Sequence, residues 1–347
     1  MIFFAFWLFQ PFFSFVAKPV EAAGQGVSAS GILVGTSVPL TGHASYLGLG
    51  IVTGMNAYFK HVNSQGGIHG RPIKCVPYDD DYNPPLMISN VRRLIDKDRV
   101  FALIGLVGTP TTLTIVEQCE QQKIPLLFPF TGAIELRQPV KKYVLNLRPS
   151  YWDEGAAAVD YFIKQGKRCI AVFYQNDAYG LNGRNGVERR LIKYDLGLAA
   201  EASYIRGVSD VKTQVQEIKK CNPDVVVMIG TADPCAAFIV EALRQGMQDV
   251  LFSNVSFVGA HELAKRLSDC RAGVFVTQVF PSIADTSLPA VREYRQLMQS
   301  FFPATEPDQV SLEGFLNAKL FVEALQRSGV DPDRESLVKT IEEMHEF

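Results

Sequence analysis

Residues 104–113, IGLVGTPTTL, run from an apolar stretch into small residues and hydroxyls: Gly108, Thr109, Thr111 and Thr112. The segment holds no acid, base, cysteine or histidine. Its chemistry is limited to backbone amides and hydroxyls, which suits holding a molecule better than breaking one. Groups that could break bonds occur elsewhere, but not in productive patterns. Asp79, Asp80 and Asp81 are consecutive and cannot all converge on one cation without a special loop. Asn83 before Pro84 reads as a helix cap beside them. The histidines at 43, 61, 69, 261 and 345 are far apart, and no Ser/His/acid elbow spacing is present. Cysteines at 75, 119, 169, 221, 235 and 270 show no CxxC and no metal spacing, and the sequence pairs none of them. GLGIVTG at 48–54 echoes a dinucleotide fingerprint with the wrong spacing, so its glycines read as permitting close helix packing. No catalytic group, metal or cofactor is expected.

The elements that must position the hydroxyl turn follow one rhythm. ILVGTSV (32–38), IKCVPY, VFALIG and IPLLF read as strands. GIVTGMNAYFKHVNSQGG reads as a helix with Ile51, Met55, Tyr58, Phe59 and Val62 on one face, stopped by Gly66-Gly67. After Trp152, a residue for the cleft mouth or for packing at a hinge, the pattern restarts with CIAVFY, LAAEASY, DVVVMIG, VLFS and GVFVTQV. Alternating strands and helices predict an α/β fold of parallel, doubly wound sheets, and the restart near 150 predicts two such lobes. The 347-residue length fits two domains, with 47% apolar and 20% charged residues. A net charge of −2 without a Lys/Arg-rich run argues against nucleic-acid binding. The run IFFAFWLFQPFFSFVA, followed by VEAAG, reads as a signal peptide over 1–23; a retained anchor and a mis-assigned start are the alternatives.

The halves also echo each other. IGLVGT leads to TGAIEL in the first, and IGTADP leads to GAHEL in the second. Carboxyl ends of parallel strands are where open α/β sheets bind ligands, so two matching sets suggest lobes facing across a cleft.

The ordered motifs VPLTGHASYLGLGIVTG, VNSQGGIHGRPI, YDDDYNP, IGLVGTPTT, IPLLFPFTGA and YQNDAYG resemble the branched-chain amino-acid (Leu/Ile/Val-type) binding proteins of bacterial ABC importers. These are two-lobed type I periplasmic binding proteins that close like a Venus flytrap, and the resemblance covers roughly residues 31–330. It implies lobe 1 from 30–147 plus 282–330, lobe 2 from 148–281 plus 331–347, and hinge crossings near 146–150 and 277–282. It also implies helices near 288–301 and 309–328 that complete lobe 1. In the first lobe Tyr46, Leu47, Thr109, Phe130, Thr131 and Gly132 would line the pocket, gripping a carboxylate with backbone groups and a hydroxyl. Without the resemblance, Thr109 before Pro110 reads equally as a helix N-cap. In the second lobe Tyr179 would close over the ligand, and Thr231, Val255 and Ser256 would stand on the facing turns.

The pattern departs from amino-acid binders where they place an acid for the α-ammonium, since Val255 stands there and Thr231 replaces a tyrosine. Asp177 or Asp233 could substitute, or could cap helices. The expected ligand is therefore an amino acid, an amide or a small carboxylate, and the expected partners are ABC permease subunits. A receptor's ligand-sensing domain and a secreted α/β enzyme are the other readings. In relatives the helix matching DRESLVKTIEEM is followed by strands of the second lobe, whereas this sequence stops at Phe347. A second lobe lacking them would exchange amide hydrogens faster at 224–229 and 274–279 than at 32–38 and 100–104.

Overall fold

The computed structural model describes residues 25–345, so the expected signal peptide lies outside the described residues. A short strand β1 (Val27–Ser28) folds back antiparallel on β2 (Gly31–Val38). Then follow α1 (Ser45–Ser64), β3 (Ile73–Asp79), α2 (Pro84–Asp96), β4 (Ala102–Ile104), α3 (Thr109–Thr112), α4 (Val116–Gln121), β5 (Leu126–Leu127) and β6 (Val144–Leu145). Apart from β1 this first sheet is parallel, in the order β3–β2–β4–β5–β6.

The second lobe contains α5 (Tyr151–Lys164), β7 (Ile170–Gln175), α6 (Ala178–Ile192), β8 (Glu201–Tyr204) and α7 (Lys212–Lys219). It continues with β9 (Val225–Ile229), α8 (Ala232–Arg244), β10 (Leu251–Asn254), α9 (Ala260–Arg266) and β11 (Gly273–Val276). Its sheet is wholly parallel, ordered β8–β7–β9–β10–β11. Counted within each lobe, both sheets run 2-1-3-4-5, so the order reverses between the first and third strands. That reversal opens a crevice at the strands' carboxyl ends. The sheets are covered on both faces, which is why VVVMI of β9 can be apolar at every position and buried throughout.

The chain crosses between lobes after β6 and again after β11. At the first crossing a capping box starts α5: Asp153 N donates to Ser150 Oγ at 3.1 Å, and Ser150 N donates to Asp153 Oδ2 at 2.9 Å. After the second, α10 (Pro289–Phe301) and α11 (Gln309–Arg327) return to pack on α1. Here the glycines matter. A Cβ on Gly54 would lie 1.8 Å from the Ser311 carbonyl oxygen, and one on Gly314 would lie 2.3 Å from that of Ile51. The two helices therefore touch backbone to backbone.

Two expectations are corrected. The resemblance implies that residues 331–347 belong to the second lobe, but α12 (Arg334–Glu343) packs on the first. Arg334 Nη2 donates to Val100 O at 2.8 Å and Nε to Phe101 O at 2.9 Å, while Tyr143 bonds Glu335. Those carbonyls at the entrance to β4 need partners, and Leu337 and Val338 bury the helix's apolar side. Asn83 makes no side-chain cap on α2. Pro84 and Pro85 open that helix without N–H groups, which removes donors a cap would serve. The neighbouring acids brace loops instead: Asp79 accepts from Leu40 N at 2.8 Å, and Asp80 from Ser37 Oγ at 2.8 Å and Tyr82 N at 2.9 Å.

Candidate ligand-binding cleft

The sequence-selected residues gather at the carboxyl ends of the switch-point strands. Thr109 is the first residue of α3, after a Gly108 held at φ 96°, so it is not the cap residue. Its hydroxyl instead meets that of Thr131, 2.6 Å away on the turn after β5. Phe130 N bonds back to Leu106 O at 2.7 Å, which fixes the two turns side by side. Gly132 accepts from Tyr151 N at 2.8 Å, and a Cβ there would press 2.7 Å from that nitrogen. Leu47 is fully buried, with its Cδ2 3.6 Å from where a Cβ on Gly259 of the second lobe would lie.

From the second lobe, Tyr179 is buried with its hydroxyl donating to Gly230 O at 3.2 Å. Thr231 stands before α8 without capping it, and its Oγ1 is buried with no hydrogen-bond partner. Val255 is buried, and Ser256 N and Oγ donate to Glu154 at 2.8 and 3.0 Å. Between these turns lies a set of rings; Phe130 and Tyr179 are among the expected residues, whereas Tyr82, Tyr151 and Phe257 are not. Phe257 touches Tyr82 and Phe130 of the first lobe at centroid distances of 6.1 and 5.3 Å. It also touches Tyr179 at 4.6 Å and Tyr151 at 6.5 Å in the second. Burial raises the Tyr82 and Tyr179 hydroxyls well above the usual range and Tyr151 to about 12, so all three are neutral.

Arg148, at the first crossing, is the buried cation of this surface. Its guanidinium lies 4.5 Å from the Phe130 ring centroid and bonds Ser256 Oγ. Glu313 of α11 and Glu154 of α5 flank it at 3.7 and 3.9 Å. Those distances balance charge but exceed hydrogen-bond range, and Arg148 Nε and Nη1 have no hydrogen-bond partner. The Thr112 hydroxyl is likewise buried and unpartnered, while the Tyr82 and Tyr151 hydroxyls face Gln175 and Thr131. The acids proposed for an ammonium are both engaged. Asp177 accepts from Tyr179 N at 3.0 Å and Gln175 Nε2 at 2.7 Å, and pairs with Arg206 at 3.0 Å; Asp233 pairs with Arg266.

The lobes are in contact across the mouth. Tyr46 of α1 donates to Val258 O at 2.8 Å and accepts from Ala232 N at 3.1 Å. Its hydroxyl thus latches the two lobes together. Arg206 Nη1 donates to Tyr82 O at 2.9 Å, and Ile134 N donates to Asn182 Oδ1 at 3.2 Å. No cluster of three or more His, Cys, Asp or Glu that could hold a metal occurs among the described residues.

Rings, hydroxyls and a buried guanidinium thus meet where two like-wound lobes face each other. Comparison with known proteins agrees. The model of a periplasmic binding protein family matches residues 31–347. A Leu/Ile/Val-binding protein homologue of Brucella abortus is 24% identical over 96% of this chain and 88% of its own. An amino acid binding protein of Pseudomonas aeruginosa is 24% identical over 67% of this chain, and the match spans only 62% of that relative's length. Among solved structures, a possible leucine/isoleucine/valine-binding protein from Rhodopirellula baltica is 32% identical with a TM-score of 0.87, covering 94% of this chain and 89% of that one. The chain belongs to the type I periplasmic binding proteins, in their branched-chain amino-acid-binding family.

Proposed function

We propose that the protein is an extracytoplasmic solute-binding protein that captures one small carboxylate- or amide-containing molecule between its lobes and delivers it to an ABC importer. The observation that carries this reading is the buried polar set where the lobes face each other, above all Arg148, whose Nε and Nη1 have no hydrogen-bond partner, and the Thr112 hydroxyl. Leaving such groups unpaired costs roughly 1–3 kcal/mol each, so a ligand that pairs them recovers that cost. Thr109, Phe130, Thr131 and Gly132 form the first-lobe wall, and Tyr179, Thr231, Val255 and Ser256 the second. Leu47 and Tyr46 act where α1 meets the second lobe near Gly259.

Among the described residues no helix is long and apolar enough to cross a membrane. Delivery in this reading is to the membrane-embedded permease subunits of the importer. A thermal-shift screen of amino acids, amides and small carboxylates finds the ligand, which stabilises the protein by about 2.7 kcal/mol at one hundred times its dissociation constant. Calorimetry then gives one site per chain. Two sites, or consumption of the solute, overturns the reading.

A further inference from the structure

The sequence pairs none of its six cysteines, but folding brings two of them together. Cys169 stands directly before β7, and Cys221 stands two residues after α7. Asp224 ties these two chain ends side by side. Its N donates to Cys169 O at 2.8 Å, and its Oδ2 accepts from Arg168 N at 2.8 Å and Cys169 N at 2.9 Å. Cys169 Sγ lies 3.5 Å from the Cys221 carbonyl oxygen, and its thiol is in hydrogen-bond contact with that of Cys221. Both are half-buried free thiols. No second cysteine acts in this way on Cys75, Cys119 or Cys235.

The surroundings decide what such a pair can do. No third His, Cys, Asp or Glu joins it into a metal site among the described residues. Lys167 and Arg168 precede Cys169, Lys219 and Lys220 precede Cys221, and all but Lys167 are exposed. This basic rim favours the approach of an anionic oxidant. Burial, and then the neighbouring Cys169 thiol, push the Cys221 thiol up to about 11. A thiol held protonated is a slow nucleophile, which suits a bond made once and kept rather than one that cycles.

We propose that Cys169 and Cys221 form a disulfide that staples the second lobe, made by exchange with a small-molecule or protein disulfide. One cysteine thiolate attacks the oxidant's S–S bond and displaces a thiolate, and the other then attacks the mixed disulfide and displaces the second. One S–S bond breaks and one forms, the two protein thiols lose their protons, and the oxidant is reduced to two thiols. The ring so closed contains α6 with Tyr179, β8 at the edge of the sheet, and α7. Closing it restricts the unfolded chain and so favours the folded lobe. The oxidising compartment comes from the extracytoplasmic reading above, whereas the pairing itself comes from the geometry.

The test exposes the reduced full chain to oxidised glutathione and maps its peptides under non-reducing conditions. The expected product has lost two hydrogens, keeps four of its six thiols on denaturation, and yields one cross-linked peptide pair joining Cys169 to Cys221. Its thermal midpoint should exceed that of the reduced protein by about 5 °C or more. The double variant Cys169→Ser/Cys221→Ser should show no such difference, and in Cys221→Ser alone Cys169 should retain glutathione as the mixed disulfide. Comparing oxidised with reduced wild type needs no variant, so it decides the question even if a serine variant fails to fold. Six free thiols, a bridge to another cysteine, or glutathione left on both residues of the wild type overturns the proposal. A bridge without a rise in midpoint overturns the stapling role. None of these readouts uses a solute, so failure here leaves the solute-binding reading standing, and failure to bind any solute leaves the bridge standing.

Discussion

Glu313 has a raised pKa of about 7: burial pushes it up, Arg148 pulls it down less strongly, and Glu154 adds a further push. In the unfolded chain the same group titrates near 4.5. A folded form that holds its proton more tightly gains stability that is complete below about 4.5 and lost as pH rises to about 7. Glu313→Gln removes that loss. Urea denaturation should show the variant gaining on the order of 1–3 kcal/mol over the wild type between pH 5 and 8. Parallel curves for the two proteins would contradict this. At Thr109, replacement by Val deprives Thr131 of its hydroxyl partner. Affinity for the solute should fall by about 1–3 kcal/mol in calorimetry, and an unchanged affinity would take Thr109 out of the wall. The hydroxyl turn was legible because a strand running into Gly and Thr residues has few other uses. Arg148, Tyr82, Tyr151 and Phe257 were not, because each reads alone as core or hinge and only folding brings them together from three separate segments.

Among the elements, α1 and α11 carry the tightest packing. Gly54→Ala would push a methyl group into the Ser311 carbonyl, with no flexible side chain there to give way. Overpacking of this kind costs about 1–3 kcal/mol, so thermal denaturation should show a clearly lowered midpoint. An unchanged midpoint would mean that the helices can separate freely. GLGIVTG announced this role in the sequence, since Gly48, Gly50 and Gly54 all face close neighbours. The second sheet differs from expectation. β9 lies at its centre, buried along its length, while β11 is an edge strand exposed at an intermediate level throughout. Hydrogen exchange should therefore be fast at 273–276 and slow at 225–229, rather than fast at both. Equal protection of the two strands would show that the β11 edge is covered. A strand's position in its sheet depends on crossover order, which the apolar pattern of VVVMI does not encode.

Across the whole molecule, two lobes of the same strand order face each other and are joined by a few polar contacts from Tyr46, Arg206 and Asn182. The repeated Ile-Gly and Thr pattern made this architecture readable, because each copy ends the third strand of its sheet, at the switch point. The place of α12 was not readable, since an amphipathic helix carries no mark of which lobe it will cover. The account's central claim is that a solute is held by both walls at once. Hydrogen exchange of the free and the solute-saturated protein tests it most directly. Protection should rise together at 106–112 and 130–133 in the first lobe and at 179–183, 231–235 and 255–258 in the second. Protection confined to one lobe, or appearing only outside these turns, would contradict the account.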